Sequence, residues 1–149
     1  MTIQRFNIRV YGLLIWDNQI LLVNEKIGNF HFSKFPGGGL EYGEGTKECL
    51  IREFKEETGM NVEISNHFYT TDFFQQSAFK ETDQLISIYY YVHPLDNPSK
   101  IRLDEFEIEN KGKTEKLQFF WVKLEELKIE QLNFPIDQLV AKMIQSKKD

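Results

Sequence analysis

Two neighbouring stretches near the N-terminus of this 149-residue chain are rich in apolar residues, which partly alternate with polar ones in the first stretch and form a continuous run in the second. The first stretch runs from Arg5 to Trp16 and the second from Ile20 to Val23, and Asp17-Asn18 between them is typical of a turn. The pattern therefore predicts a hairpin. A short aromatic run, Phe30 to Phe35, then leads into Pro36-Gly37-Gly38-Gly39, where we expect the chain to turn because glycine adopts backbone angles closed to other residues.

The stretch that follows has the features of a helix. Thr46 suits the N-cap, and neither Pro nor Gly occurs until Gly59, which is a natural C-terminal stop. We therefore predict a helix from Lys47 to Thr58, about three turns long. One flank of this helix is apolar and is expected to face the core; it consists of Leu50, Ile51 and Phe54.

Strand and helix patterns continue to the C-terminus. β-branched and aromatic residues predict strands at Val62 to Thr71, Leu85 to Val92 and Leu117 to Val122, with Gln75 to Thr82 as a connection. The polar stretch Asp96 to Lys116 is predicted to be either a flexible loop or an excursion over a functional site. Pro135 suits a first helical turn, and the apolar residues after it recur at helical spacing, namely Ile136, Leu139, Val140, Met143 and Ile144.

Strands and helices thus interleave along a chain of ordinary domain length. We predict a single domain over residues 1–149, of the α/β class, with a sheet covered by helices on both faces. Hydrophobic residues make up 41% and charged residues 28%, as in folded soluble proteins.

The charge balance and the cysteine content narrow the class of partner and the compartment. A net charge of −5 argues against a nucleic-acid backbone as the main partner, whereas an acidic protein binds phosphates through divalent cations. The single cysteine, Cys49, forms no internal disulfide and has no zinc-type spacing around it, so we expect a reducing, cytoplasmic location. Arg5 and Arg9 interrupt the apolar residues of the N-terminus, and no stretch approaches the roughly 20 apolar residues of a membrane span, so neither secretion nor membrane insertion is expected.

The predicted helix carries its acidic residues on one edge. At ~100° per residue, Glu53, Glu56 and Glu57 fall within about 100° of arc. Like charges at this spacing weaken a helix unless a cation compensates them. Arg52 lies four residues before Glu56 and four after Glu48, so it is within reach of both. Carboxylate oxygens suit Mg²⁺ or Mn²⁺, so a phosphate-bridging metal site is one interpretation, while an acidic helix edge taken alone is more often a solvated surface.

The spacing of glycine, glutamate and arginine residues over a longer segment favours the metal site. The segment from Phe35 reads FPGGGLEYGEGTKECLIREFKEETGM and resembles the Nudix box, Gly-x5-Glu-x7-Arg-Glu-U-x-Glu-Glu-x-Gly-U, in which U is a bulky apolar residue. Every place of the box is filled between Gly38 and Met60, by Gly38, Glu44, Arg52, Glu53, Phe54, Glu56, Glu57, Gly59 and Met60. Phe54 is aromatic where the family usually has an aliphatic residue, which bears on packing rather than on chemistry.

The resemblance implies a fold and a set of site residues. The box of this family forms a loop, a helix and a loop on an α/β/α sandwich with a mixed β-sheet. It implies that Glu53, Glu56 and Glu57 bind Mg²⁺ (or Mn²⁺), with a further role for Glu53 in activating water. Glu44 and Arg52 are expected to support these ligands, and Gly37 and Gly38 to let the backbone approach the metal.

The resemblance also implies an activity. It predicts Mg²⁺-dependent hydrolysis of the pyrophosphate link in a nucleoside diphosphate joined to another moiety, or in a nucleoside triphosphate. A Nudix-like sensor that binds such a ligand without turnover is the alternative. Family subgroups for ADP-ribose or diadenosine polyphosphates carry a proline or a tyrosine shortly after the box, and Phe74 to Phe79 has neither, so the substrate stays open. A homodimer is common in the family, and no sequence feature decides it.

Residues outside the box are weaker candidates. Many family members take a general base or an extra metal ligand from a later glutamate, and Glu107 and Glu115 are candidates for that role. Gln118 is more simply a sheet position. Cys49 is interpreted as a small space-filling side chain rather than a reactive thiol.

Overall fold

The computed structural model describes residues 2–147, which form two compact units. Unit 1 contains residues 2–13 and Gly37–Asp96, and unit 2 contains Leu14–Pro36 and residues 97–147. The elements in chain order are β1 (Arg5–Trp16), β2 (Gln19–Ile27), β3 (Phe30–Lys34), β4 (Gly37–Gly39), α1 (Thr46–Thr58), β5 (Val62–Thr70), β6 (Asp83–Pro94), β7 (Phe106–Asn110), β8 (Lys113–Lys123) and α2 (Pro135–Ser146). The prediction of one domain stays a prediction.

In unit 1, strand β1 lies between β6 and the short strand β4. β5 pairs with β6 in antiparallel fashion, β6 lies beside β1, and β4 pairs with β1 through Arg9–Gly39, Val10–Gly38 and Tyr11–Gly37. The glycine run that we expected to turn is therefore a strand. A Cβ at Gly12 would lie 2.6 Å from Val92 Cγ2 and 2.7 Å from Phe54 Cε2, so the glycine in β1 is what lets the helix side chain Phe54 pack so closely.

Helix α1 confirms the predicted element with two corrections. Its N-cap is Gly45, and Thr46 is its first residue rather than its cap. Glu48 accepts a hydrogen bond from the backbone N–H of Gly45 at 2.9 Å, which satisfies one of the free donors at a helix start. Leu50 and Phe54 are buried as expected, but Ile51 is 41% exposed, so the apolar flank is narrower than predicted. Gly59 ends the helix with a positive φ of 76°.

In unit 2, the predicted hairpin is confirmed. Asp17 and Asn18 have φ values of 53° and 59°, the left-handed conformation that a tight two-residue hairpin turn requires, and Ile15 pairs with Ile20 across it. β2 continues between β3 and β8, and β7 pairs with β8 at the edge. The core of this unit includes Leu21, Val23, Leu117, Phe119, Val140 and Ile144.

The polar stretch Asp96 to Lys116 is not a flexible loop throughout, and the alternative prediction, an excursion over a functional site, stays a prediction. It contains one 3-10 turn at Pro98–Lys100 and the whole of β7, and it leads into β8. Lys111 and Gly112 have positive φ values of 52° and 79°, which close the β7–β8 hairpin. The C-terminal helix predicted from Pro135 is confirmed as α2.

Unit 2 also buries one ion pair. Lys34 Nζ lies 3.1 Å from Glu25 Oε1, and both side chains are at least nine-tenths buried. Removing either partner would leave an uncompensated buried charge, so this pair belongs to the packing of the unit.

Candidate functional site

The centre of the candidate site is the contact between β4 and α1 in unit 1. The carboxylate of Glu53 lies directly against Gly38: a Cβ built at Gly38 would be 2.6 Å from Glu53 Oε1 and 2.9 Å from Oε2. Only glycine leaves room for a carboxylate at this distance. The Glu53 side chain is 14% exposed, so its carboxylate is held at the edge of the packed core.

Arg52 connects the acidic side chains of the box. Its guanidinium donates to both oxygens of Glu44, Nε to Oε2 at 3.0 Å and Nη2 to Oε1 at 2.8 Å. Nη1 donates to Glu53 Oε1 at 3.0 Å and approaches Glu56 Oε2 at 3.3 Å. Such a two-pronged contact fixes both position and orientation, so Arg52 holds Glu53 against Gly38 while it is itself anchored by Glu44.

The hydrogen bonds from Arg52 shift the pKa of Glu44. They lower it from an ordinary value of 4.5 to about 2, against an opposing effect of burial. The pKa of Arg52 is raised in turn, first by its hydrogen bond to Glu44. Both groups are therefore charged across the physiological pH range.

This shift predicts how stability depends on pH. Because folding lowers the pKa of Glu44, the unfolded chain binds the proton more tightly, and the stabilisation present above about pH 4.5 should be lost as pH falls toward about 2. Urea unfolding midpoints measured from pH 5 down to pH 3 should fall less steeply for Glu44→Gln than for wild type. Glu63→Gln, an exposed glutamate on β5, is the control and should keep the wild-type slope. Equal slopes for wild type and Glu44→Gln would contradict the Arg52–Glu44 pairing.

The other two predicted ligands lie along the same helix. The Glu56 side chain is 58% exposed, and Glu57 is half-buried one turn beyond Glu53. Among residues 2–147, no three His, Cys, Asp or Glu side chains are grouped so that they could hold a metal ion. In this arrangement Glu53 and Glu56 are paired with Arg52.

A divalent cation nevertheless fits the site by two observations. All three side chains offer carboxylate oxygens, the donors that Mg²⁺ and Mn²⁺ prefer. Glu56 is exposed, and turning it from Arg52 toward a cation would disturb little packing.

Gly37 lies one residue from this contact but has a different constraint. Its φ is 146°, and a Cβ there would lie 2.0 Å from the backbone oxygen of Val10. Gly37 is therefore required by the pairing of β4 with β1, whereas Gly38 is required by Glu53.

Cys49 is fully buried beside the same group of residues. Burial, followed by the hydrogen bond to Glu44, raises the pKa of its thiol to about 12, so it is protonated at neutral pH. Its Sγ lies 3.5 Å from the carbonyl oxygen of Gly39. These contacts agree with its interpretation as a space-filling side chain.

Among the acidic residues around Arg52, the sequence prediction missed Glu41 and misplaced Glu48. Glu41 Oε1 lies 3.7 Å from Arg52 Nη1, and its backbone N–H donates to Glu44 at 3.0 Å. The sequence feature that could have indicated Glu41 is its position three residues before Glu44, in a loop that contains glycines. Glu48, which we expected within reach of Arg52, instead caps the helix at Gly45.

The candidates outside the box lie in unit 2. Glu115 is buried on β8 and accepts a hydrogen bond from Asn110 Nδ2 at 3.1 Å. Glu107 is exposed on β7, opposite Lys116. Gln118 occupies a regular position on β8, as predicted, and donates to the carbonyl oxygen of Leu103. A catalytic role for Glu107 or Glu115 stays a prediction.

Residues 6–143 match the NUDIX domain family. Because this match covers most of the chain, the protein belongs to the NUDIX domain family. None of the helices within residues 2–147 is long and apolar enough to span a membrane.

Two curated relatives match part of the chain. The ADP-ribose pyrophosphatase of Methanocaldococcus jannaschii is 43% identical over 60 residues, which are 40% of this chain and 36% of that protein. The 8-oxo-dGTP diphosphatase of Escherichia coli is 24% identical over 84 residues, which are 54% of this chain and 60% of that protein. The aligned regions thus span less than two thirds of either relative.

Solved structures show the fold. The MutT protein from Methanosarcina mazei superimposes with a TM-score of 0.70 at 21% identity, over 98% of this chain and 97% of that one. The MutT NUDIX hydrolase from Burkholderia pseudomallei gives 0.69 at 16% identity, over 93% and 98%. The predicted fold class, an α/β arrangement of a mixed sheet with two helices, is thereby confirmed.

Proposed function

We propose that this protein hydrolyses a pyrophosphate link, in a nucleoside diphosphate joined to another moiety or in a nucleoside triphosphate, with Mg²⁺ or Mn²⁺. The observation that carries the proposal is the placement of Glu53, whose carboxylate is held against Gly38 by Arg52. A carboxylate confined in this way beside bare backbone is suited to a fixed position in a reaction site rather than to solvation.

The chain's own residues have distinct roles in this proposal. Glu53, Glu56 and Glu57 hold the cation, which when bound would polarise the phosphoryl group, offset charge on the leaving phosphate and lower the pKa of a water. Glu53 accepts the proton of the attacking water as the new P–O bond forms and the bridging P–O bond breaks. Arg52 keeps Glu53 in place, and Glu44 keeps Arg52 in place.

Two relatives support the type of bond. One carries a pyrophosphatase name and the other a diphosphatase name. We extend that bond type to this chain and leave the substrate open at the level of a nucleotide-type small molecule. Cytoplasmic location and a homodimer stay predictions.

A panel of nucleotides tests the proposal. Wild-type protein is incubated with ADP-ribose, sugar nucleotides, ordinary triphosphates and oxidised triphosphates, with Mg²⁺, with Mn²⁺ or with EDTA. At least one compound should be hydrolysed with the cation and none with EDTA. Ligand binding without turnover across the whole panel would favour the sensor and overturn the proposed activity.

Metal binding should also stabilise the fold. A cation that binds only the folded chain stabilises it by about 2.7 kcal/mol when it is a hundredfold above its dissociation constant. Mn²⁺ should therefore raise the melting temperature, and Glu56→Gln should show a smaller rise than wild type. The melts are compared with EDTA and with millimolar metal at matched ionic strength, with Glu63→Gln as control. The same rise in Glu56→Gln and wild type would mean that Glu56 is not a ligand.

A further inference from the structure

The first residue of α1 is tied to strand β6 through two side chains. The hydroxyl of Tyr90 lies 2.7 Å from Thr46 Oγ1, a distance typical of a good hydroxyl–hydroxyl hydrogen bond. Both residues are half-buried, both lie in unit 1, and they are 44 positions apart in the sequence. The bond therefore joins the start of the helix to the sheet of the same unit.

Thr46 lies on the same line along the helix as two of the proposed ligands. At ~100° per residue, Glu53 is about 20° short of two full turns from Thr46, and Glu57 is about 20° beyond three. A contact that fixes the direction of Thr46 therefore fixes the direction of Glu53 and Glu57 as well. Rotation of the helix at its first turn would move all three side chains together.

The Tyr90 ring is itself held from two sides. Lys47 Nζ lies 6.0 Å from the ring centroid, within the range of a cation–π contact. The ring of His67 meets it edge-on at 5.7 Å, and His67 Nε2 lies 2.7 Å from Thr70 Oγ1. Tyr90 thus offers a fixed hydroxyl rather than a mobile one.

The contact between Tyr90 and Thr46 lies next to an N-cap that has no side chain. Gly45 is the cap and makes no side-chain cap hydrogen bond, so the first turn lacks the usual anchor from a Ser, Thr or Asp. At the other end of the line, Glu53 is within 3 Å of where a Gly38 Cβ would be, so a small rotation of α1 would push the carboxylate into the backbone or away from it.

We propose that Tyr90 is a positioning residue that sets the rotation of α1 and so the placement of the Glu53 and Glu57 carboxylates for a divalent cation. The proposal rests on the proposed function, because it assigns these carboxylates to the metal. Tyr90 acts through Thr46 and the helix and does not itself contact a reacting atom.

Mn²⁺ affinity measured by EPR of the free ion tests this directly, without reference to turnover. Tyr90→Phe and Thr46→Val each remove one hydroxyl and keep the shape of the side chain. Each should raise the Mn²⁺ dissociation constant about tenfold, the lower end of the effects seen when support for metal ligands is lost. The double variant should be no weaker than either single one, because both remove the same bond.

Two further variants separate positioning from general stability. Thr46→Ser keeps the hydroxyl and should retain wild-type affinity. Tyr91→Phe removes a hydroxyl from the next residue of β6, whose side chain points to the opposite face and packs on Phe68, and it should also retain wild-type affinity.

The outcomes are distinct. Wild-type Mn²⁺ affinity in both Tyr90→Phe and Thr46→Val, with only a lower melting temperature, would overturn the positioning role. If Tyr90→Phe fails to fold, Thr46→Val and Thr46→Ser carry the same comparison. If wild type binds Mn²⁺ but hydrolyses no compound of the panel, the proposed activity fails while the affinity series still decides the role of Tyr90.

Discussion

Replacing Glu53 by glutamine should lower kcat at least about a hundredfold while the protein stays folded, since metal and electrostatic groups typically contribute effects of that size. Glutamine keeps the shape of the side chain and one oxygen but loses the charge and the proton acceptor. The Glu53 carboxylate also accepts one hydrogen bond from Arg52, at 3.0 Å. Glu44 would still hold Arg52 in place in the variant. The fold should therefore survive the change.

The measurement is kcat on the best compound of the panel, beside a thermal melt of the same preparation. Glu63→Gln makes the same chemical change at an exposed position of β5 in the same unit, and it should keep both values. A Glu53→Gln protein with near-normal kcat would show that the reaction takes place elsewhere.

Adding one methyl group at each glycine of β4 should separate catalysis from folding. Gly38→Ala would place a Cβ 2.6 Å from Glu53 Oε1, the far end of a flexible side chain, so the carboxylate should move and the fold should remain. A displacement of about 1 Å from the reacting geometry costs on the order of a hundredfold in rate, and we expect a kcat loss of that size. Gly37→Ala would place its Cβ 2.0 Å from the Val10 backbone oxygen, at a φ of 146° that an alanine rarely adopts. Relieving this clash would require the backbone itself to move.

We therefore expect Gly37→Ala to lose about 3 kcal/mol or more of unfolding free energy, as strained or overpacked sites do. Gly39→Ala is the matched methyl addition, because its Cβ would meet only Arg9 Nη1, at an ordinary 3.6 Å, and its melting temperature should stay close to that of wild type. Urea unfolding and kcat are measured on all three variants. A Gly38→Ala protein that unfolds as readily as Gly37→Ala, or that keeps full activity, would contradict the assigned contact.

The sequence predicted the elements whose signals are local. The residues between Thr46 and Gly59 have one consistent helical period and a glycine stop, so α1 was placed to within one residue at each end. The Asp17-Asn18 turn was equally local. By contrast, β7 was missed although Phe106 and Ile108 are half-buried and Glu107 and Glu109 are exposed, because a five-residue alternation is weak beside so many charges.

In the candidate site, likewise, contacts within one helix were predictable and contacts between distant residues were not. Helical spacing relates residues on one helix, so the pairing of Arg52 with Glu56 was predictable. The family resemblance implied that Arg52 and Glu44 both support the ligands, but it did not pair them with each other across the loop. Spacing also suggested Glu48 as a partner, but the unsatisfied N–H of Gly45 binds it instead. The link between Tyr90 and Thr46 joins residues far apart in the chain, and no periodicity reports such a contact.

If α1 presents a metal-dependent site for cleaving a pyrophosphate link, the bond that the enzyme breaks must be a bridging P–O bond between the two phosphorus atoms of that link. The best compound of the panel is hydrolysed in ¹⁸O-labelled water with Mg²⁺, and the products are resolved by mass. The expected products are a nucleoside monophosphate with a phosphorylated partner, or with pyrophosphate when the substrate is a triphosphate. One ¹⁸O atom should enter per cleavage, and no products should form with EDTA. Products that leave the pyrophosphate link intact, or the same cleavage in EDTA, would contradict the proposed activity.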